Sequence, residues 1–191
     1  FRDMETSPTG YVILGMLRNG PRSGYEIKRV VDHSTRFFWA ASYGQIYPEL
    51  RKLAKAGLVA GESRPTGGRR RTVYRLTDTG REELRRWLER PPERLELRDE
   101  GLLKLFFAGA AEPGKAVEII DAKQRLIEEK LAALREIEPY AAAAASSDPF
   151  PYLVLRYGLE SSEWVIAWCE RARADLAGAK SKSKSRKGRA A

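Results

Sequence analysis

Ser42, Tyr43, Gln45 and Tyr47 crowd three hydroxyls and one carboxamide into six consecutive residues, and Arg51, Lys52 and Lys55 follow at helical spacing. Hydroxyls and amides hydrogen-bond base edges or phosphates, while guanidinium and ammonium groups neutralise backbone phosphate. A second basic cluster, Arg69-Arg70-Arg71, adjoins Gly67 and Gly68, which would let it approach a groove closely. Tyr25 and Lys28 lie upstream, where they would touch flanking backbone, and Gly44 and Pro48 complete the set. Gly44 serves either close approach to a nucleic acid or simple packing. The chemistry offered is recognition of a polyanion. With His33 the only histidine and Cys169 the only cysteine, an intrachain disulfide framework and a Cys/His zinc site are excluded. No phosphate-cradling glycine motif or metal-ligand cluster is present, so no catalytic, cofactor or metal residues are expected and an enzyme is not.

The elements that must position these residues are legible in order. Ser7 followed by Pro8 caps a first helix carrying Val12, Ile13, Leu14, Met16 and Leu17, closed by Asn19-Gly20-Pro21. Ser23 with Glu26 is a capping box opening a second helix through Tyr25, Ile27, Val30 and Val31. Ser42 with Gln45 repeats the device and opens a third, with Ile46, Leu50 and Leu53 toward the core, Pro48 in or near its first turn and Gly57 at its end. The period then changes. Leu58-Val59-Ala60, the turn Pro65-Thr66-Gly67-Gly68 and the alternating run Thr72 to Thr77 predict a β-hairpin with a basic tip. A fourth helix from about Arg81 to Glu89 turns Leu84, Trp87 and Leu88 inward, and Pro91-Pro92 stops it. Three helices, a two-stranded wing and a helix make a winged helix-turn-helix, whose third helix suits a major groove about 12 Å wide.

The second half reads as wholly helical. Leu102, Leu103, Leu105, Phe106 and Phe107 form a short apolar helix ending at Gly109. Pro113 opens a long one to about Pro139, in which Val117, Ile120, Gln124, Ile127, Leu131 and Leu134 alternate spacings of three and four, a coiled-coil seam. Gln124 either sets dimer register or is simply solvated. Ala141 to Pro149 is a hinge or frayed helix end, and a last helix runs from Tyr152 to Ala177 with Trp164 and Trp168 on one face. The fold class is therefore mainly α with a small β-hairpin wing. The expected organisation is a DNA-binding domain over residues 4–92, a helical dimerisation or effector domain over 98–178 and a disordered basic tail over 179–191. Phe1 is not a usual start, so Phe1 to Asp3 are either appended residues or an extension upstream of Met4.

Charge alone is the weaker argument. The net charge is +9, but removing the six cations of the tail leaves only +3. The tail itself adds non-specific phosphate contacts or merely solubilises. With no apolar run of about 20 residues and no secretory leader expected, the predicted location is the cytoplasm, with no membrane partner. Trp87 is the residue proposed for an effector pocket. Cys169 reads as a buried small hydrophobe and His33 as a partner for a helix C-terminus.

The run from Phe38 to Leu53, Phe-Trp-Ala-Ala-Ser-Tyr-Gly-Gln-Ile-Tyr-Pro-Glu-Leu-Arg-Lys-Leu, followed by Gly57-Leu58-Val59, resembles the hallmark of the PadR family of transcriptional regulators. Gly68 to Arg71 and Tyr74 to Gly80 resemble that family's wing and its exit. Asp99 to Phe107 and Leu159 to Trp168 are similar to its longer class with a helical C-terminal domain. The basic tail departs from the pattern. The resemblance implies a homodimeric repressor, released from an inverted-repeat DNA operator by a small molecule or stress signal. It also implies dimerisation through the C-terminal helices, here Val117, Ile120, Gln124, Ile127, Leu131, Leu134, Trp164 and Trp168. Half-sites about 34 Å apart are expected. The rival reading is a winged-helix protein-interaction module without specific DNA binding.

Overall fold

The computed structural model describes residues 6–66, 69–93, 98–112 and 114–187, with side chains for all of these but 64–66, 69–70 and 179–187. The chain separates into two compact units, residues 1–95 and 96–191.

In the first unit, α1 (Pro8–Met16) begins where the Ser7 hydroxyl accepts the Gly10 N–H at 3.1 Å. The two-residue strand β1 (Arg22–Ser23) leads into α2 (Gly24–Asp32). There Ser23 and Glu26 form the expected capping box. A 3₁₀ turn over Thr35–Phe37 precedes α3 (Tyr43–Lys55). Strands β2 (Val59–Thr66) and β3 (Arg69–Leu76) form the wing, and α4 (Asp78–Glu89) follows. The sheet is antiparallel in the order β1-β3-β2, with Ser23 opposite Val73 and Gly61 opposite Tyr74. Ile13, Leu14, Ile27, Val31, Ile46 and Leu50 are fully buried and make the core that holds α1, α2 and α3 together. Each fully buried aliphatic side chain contributes about 1.5–3 kcal/mol.

One sequence expectation is narrowed here, one is corrected and one element is added. Pro48 sits in the second turn of α3, so the Gly44 carbonyl lacks its helical donor; Gly44 is exposed, so water can take that place. Leu84 is buried but Leu88 is 66% exposed: it shares the face of Leu84 one turn on, at the C-terminal end of α4, where the core cluster has already ended. The strand β1 was not expected at all: two residues carry no readable period.

In the second unit, α5 (Glu100–Phe106), a 3₁₀ turn at Ala108–Ala110, α6 (Lys115–Ala144) and α7 (Phe150–Lys187) are all helical. Pro139 lies inside α6 instead of ending it, since the alanine run beyond is strongly helix-forming. The expected opening residue Pro113 lies outside the described residues. α7 runs past Ala177 to Lys187, through residues read from sequence as the disordered tail, with no proline to stop it; residues 188–191 lie outside the described residues.

The seam of α6 is largely spent within the chain. α6 packs along α7, burying Ile120, Leu131 and Leu134, with Val117, Gln124 and Ile127 half-buried. Arg173 of α7 donates to the Gln124 carboxamide oxygen, and Leu134 lies against Gly158. The pattern of threes and fours cannot distinguish a partner's helix from the chain's own next helix. Trp164 is 61% exposed and Trp168 half-buried. Cys169 is fully buried, and burial pushes its thiol up.

Candidate nucleic-acid interface

The outer face of α3 carries Tyr43, Gly44, Gln45, Tyr47, Arg51, Lys52 and Lys55, all exposed, with Pro48 half-buried beside them. Ser42, also exposed, precedes the helix, and its backbone N–H donates to the Gln45 Oε1 at 2.9 Å. Beneath that face, Ile46, Leu50 and Leu53 anchor α3 in the core. Glu49 is buried too, and accepts the Ser7 hydroxyl at 2.6 Å, so the cap of α1 fixes the height of α3. Lys52 approaches the other Glu49 oxygen at 3.5 Å while remaining 70% exposed. Arg51 and Lys55 make no ion pair among the described residues.

The tyrosines are not loose. Tyr43 and Tyr47 stack along α3 with ring centroids 6.1 Å apart and planes 19° from parallel. The Tyr47 ring lies directly over Gly24, where a Cβ would sit only 2.6 Å from its edge. The Lys28 ammonium lies 5.5 Å from the Tyr43 ring and is ion-paired to Asp32. Lys28, expected to touch flanking backbone, is thus half-buried and paired within α2. Tyr25 is 53% exposed on the first turn of α2.

The wing arginines divide. The side chains of Arg69 and Arg70, and Gly67 and Gly68 altogether, lie outside the described residues. Arg71 is half-buried in the tip half of β3, opposite Arg64, and is bonded to Glu26 at 2.5 Å and to the Ser23 hydroxyl at 2.9 Å. The Arg71 guanidinium, helped by the Ser23 backbone N–H, holds the Glu26 carboxyl down to about 2. Sequence reasoning missed Gly24, Glu26 as an ion-pair partner, and Glu49. A glycine between a cap and a tyrosine-bearing neighbour helix was the one visible signal.

Trp87 stacks on Tyr11, centroids 4.5 Å apart and planes within 10°, and the Tyr11 hydroxyl donates to Glu83 at 2.8 Å. Burial, and then the Glu83 carboxylate, push the Tyr11 phenol up. Trp87 remains 41% exposed. His33 lies just past α2 with its Nδ1 2.7 Å from the Arg29 carbonyl oxygen, the geometry of a ring N–H donating to a helix end.

Residues 13–86 match the transcriptional regulator PadR-like family, and residues 97–177 match the C-terminal region described for virulence activator alpha. The negative transcriptional regulator PadR of Bacillus subtilis (strain 168) is 33% identical over 170 residues, covering 84% of this chain and 92% of the relative. The chain belongs to the PadR family. The crystal structure of Bacillus subtilis PadR in complex with operator DNA matches at a TM-score of 0.78 and 32% identity, covering 87% of this chain and 98% of that one. The same regulator in complex with p-coumaric acid matches at a TM-score of 0.71 and 32% identity, over 89% and 97%. This PadR-family regulator is mainly helical with one small sheet. Among the described residues no helix is long and apolar enough to cross a membrane.

Proposed function

We propose that this PadR-family regulator is a cytoplasmic homodimer that represses transcription by gripping an inverted-repeat operator, and that a small molecule or stress signal relieves the grip. The observation that carries the reading is the exposed face of α3, where the stacked Tyr43 and Tyr47 stand in line with Arg51, Lys52 and Lys55. Tyr43, Gln45 and Tyr47 supply hydrogen bonds to base edges, with Ser42, Gly44 and Pro48 letting the first turns come close. Arg51, Lys52 and Lys55, with Arg69 and Arg70 of the wing, neutralise phosphates, and Tyr25 meets the flanking strand. Two such helices about 34 Å apart enter successive major grooves. The relative's operator complex and its p-coumaric acid complex support both halves of the reading. A small aromatic acid is therefore the first class of effector to try, with the Tyr11–Trp87 stack as the aromatic wall to watch. Of the C-terminal residues expected at the dimer contact, Trp164 is the most exposed and so the first to meet a second copy.

The test is a titration of the full chain against DNA from its own upstream region, with random DNA of equal length as reference. Preference for the upstream fragment, lost on charge reversal at Arg51, is the expected result. Equal binding to both would overturn specific recognition, and retention of a protein partner under charge reversal would favour an interaction module.

A further inference from the structure

We propose that Arg71 is a positioning residue and not a phosphate contact: its ion pair with Glu26 fastens the tip half of β3 to the first turn of α2. This rests on the operator-binding reading above and assigns one of the three wing arginines a different task. Arg71 lies on β3, the central strand, two residues before the point where β1 pairs through Ser23 opposite Val73. From there its guanidinium reaches past the end of β1 to the α2 cap. One nitrogen bonds Glu26 Oε1 at 2.5 Å and the Ser23 hydroxyl at 2.9 Å. The other Glu26 oxygen accepts the Ser23 backbone N–H at 2.8 Å and its hydroxyl at 3.0 Å. The three side chains close a triangle in which the charges cancel.

A phosphate would find little to bind there. The Arg71 Nε is already buried, without a hydrogen-bond partner among the described residues, so the group is seated against protein. Leaving the seat would strip Glu26 of its counter-charge, and its negative charge repels the same phosphate. Both bonds leave one terminal nitrogen, held at its reach and angle by the guanidinium plane, which a lysine's shorter stem and freely rotating ammonium do not reproduce. The first turn of α2 that receives Arg71 also receives the Tyr47 ring over Gly24. The wing and α3 are therefore indexed to one common turn, and the pair sets the angle between them.

The test measures affinity of the full chain for its upstream fragment across a salt series, for Glu26→Gln, Arg71→Gln, Arg71→Lys and the double Gln variant. Gln at position 26 keeps the acceptor that the capping box needs and removes only the charge. Each single variant is expected to weaken operator binding about tenfold, and the double variant about tenfold in total and no further, because the pair acts as a unit. Salt slopes should stay at the wild-type value. If Arg71 were a phosphate contact, Arg71→Gln would lower the slope by about 0.9 per protomer. Arg71→Lys would then be mild, and Glu26→Gln would tighten binding by freeing the cation. Any of those three results overturns the positioning role while leaving operator recognition intact. A wild-type protein with no preference for the upstream fragment would instead overturn the DNA reading, and this role with it.

Discussion

Tyr47 covers Gly24 so closely that a methyl group at position 24 would lie 2.6 Å from the tyrosine ring. The two helices of the helix-turn-helix therefore meet through a ring laid on bare backbone, and the ring's direction is set by the absence of a side chain. Gly24→Ala should push Tyr47 off this seat and out of its stack with Tyr43. Because Tyr47 is 42% exposed and can swing into solvent, the fold should survive. The expected outcome is a small change in Tm with a loss of about tenfold in operator affinity, about 1.4 kcal/mol. A titration of the variant beside a thermal melt reads both; a large Tm drop with unchanged affinity would contradict it.

Gly80 and Gly15 predict opposite signs for the same substitution. A Cβ on Gly80 would stand 2.0 Å from the Leu58 carbonyl oxygen, which also accepts the Thr77 N–H at 3.2 Å and its hydroxyl at 2.9 Å. Backbone cannot yield as a side chain can. Gly80→Ala should cost about 3 kcal/mol, lowering Tm by about 10 °C or more. Gly15, exposed on α1 with nothing within 4 Å of its would-be Cβ, should gain about 0.5–1 kcal/mol as alanine. Denaturant melts of the two variants check the pair.

These positions mark what the sequence could and could not disclose. Capping at Ser7, Ser23 and Ser42 acts over three or four residues, so helix starts were readable to within a residue. The end of α3 was equally local: Gly57 takes φ +72, and Leu58 and Gly57 donate back to Leu53 and Ala54. The exposed face of α3 was legible because Ile46, Leu50 and Leu53 define its opposite. Pairings across the fold were not. Nothing in the spacing joins Arg71 to Glu26 or Glu49 to Ser7, so Arg71 reads as a phosphate contact when a carboxylate of another element holds it. The α6 seam is open for a related reason, since an apolar stripe states that it will be covered and not by which helix.

Asp99 fastens α5 to α6, and its loss should be felt at one place in the second unit. It accepts the Leu102 N–H at 2.9 Å as the cap of α5 and pairs with Lys123, whose side chain is only 8% exposed. Burial pushes the Asp99 carboxyl up, but Lys123 and the Leu102 N–H outweigh it and hold the group below its ordinary range. Asp99→Asn would leave the Lys123 ammonium buried and unpaired, at a cost of up to about 3–5 kcal/mol. Hydrogen exchange on the full chain should show α5 amides losing protection while α3 amides keep theirs. Equal loss in both would mean that the pair supports the whole chain.

Glu26 gives the acid response a definite sign. Its carboxyl titrates at about 2 in the folded chain against an ordinary 4.5, held down first by the Arg71 hydrogen bond and then by the Ser23 N–H. A carboxyl with a depressed folded value favours the native state fully above its unfolded value. That contribution should therefore be whole above about pH 4.5 and drain away as pH falls toward 2. In Arg71→Gln the larger cause is gone but the Ser23 N–H remains, so the carboxyl should move up without reaching its ordinary value. A carboxyl-detected NMR titration of wild type and variant measures this directly. An unmoved Glu26 would show that the ion pair is not formed in solution, and the wing would then need some other hold on α2.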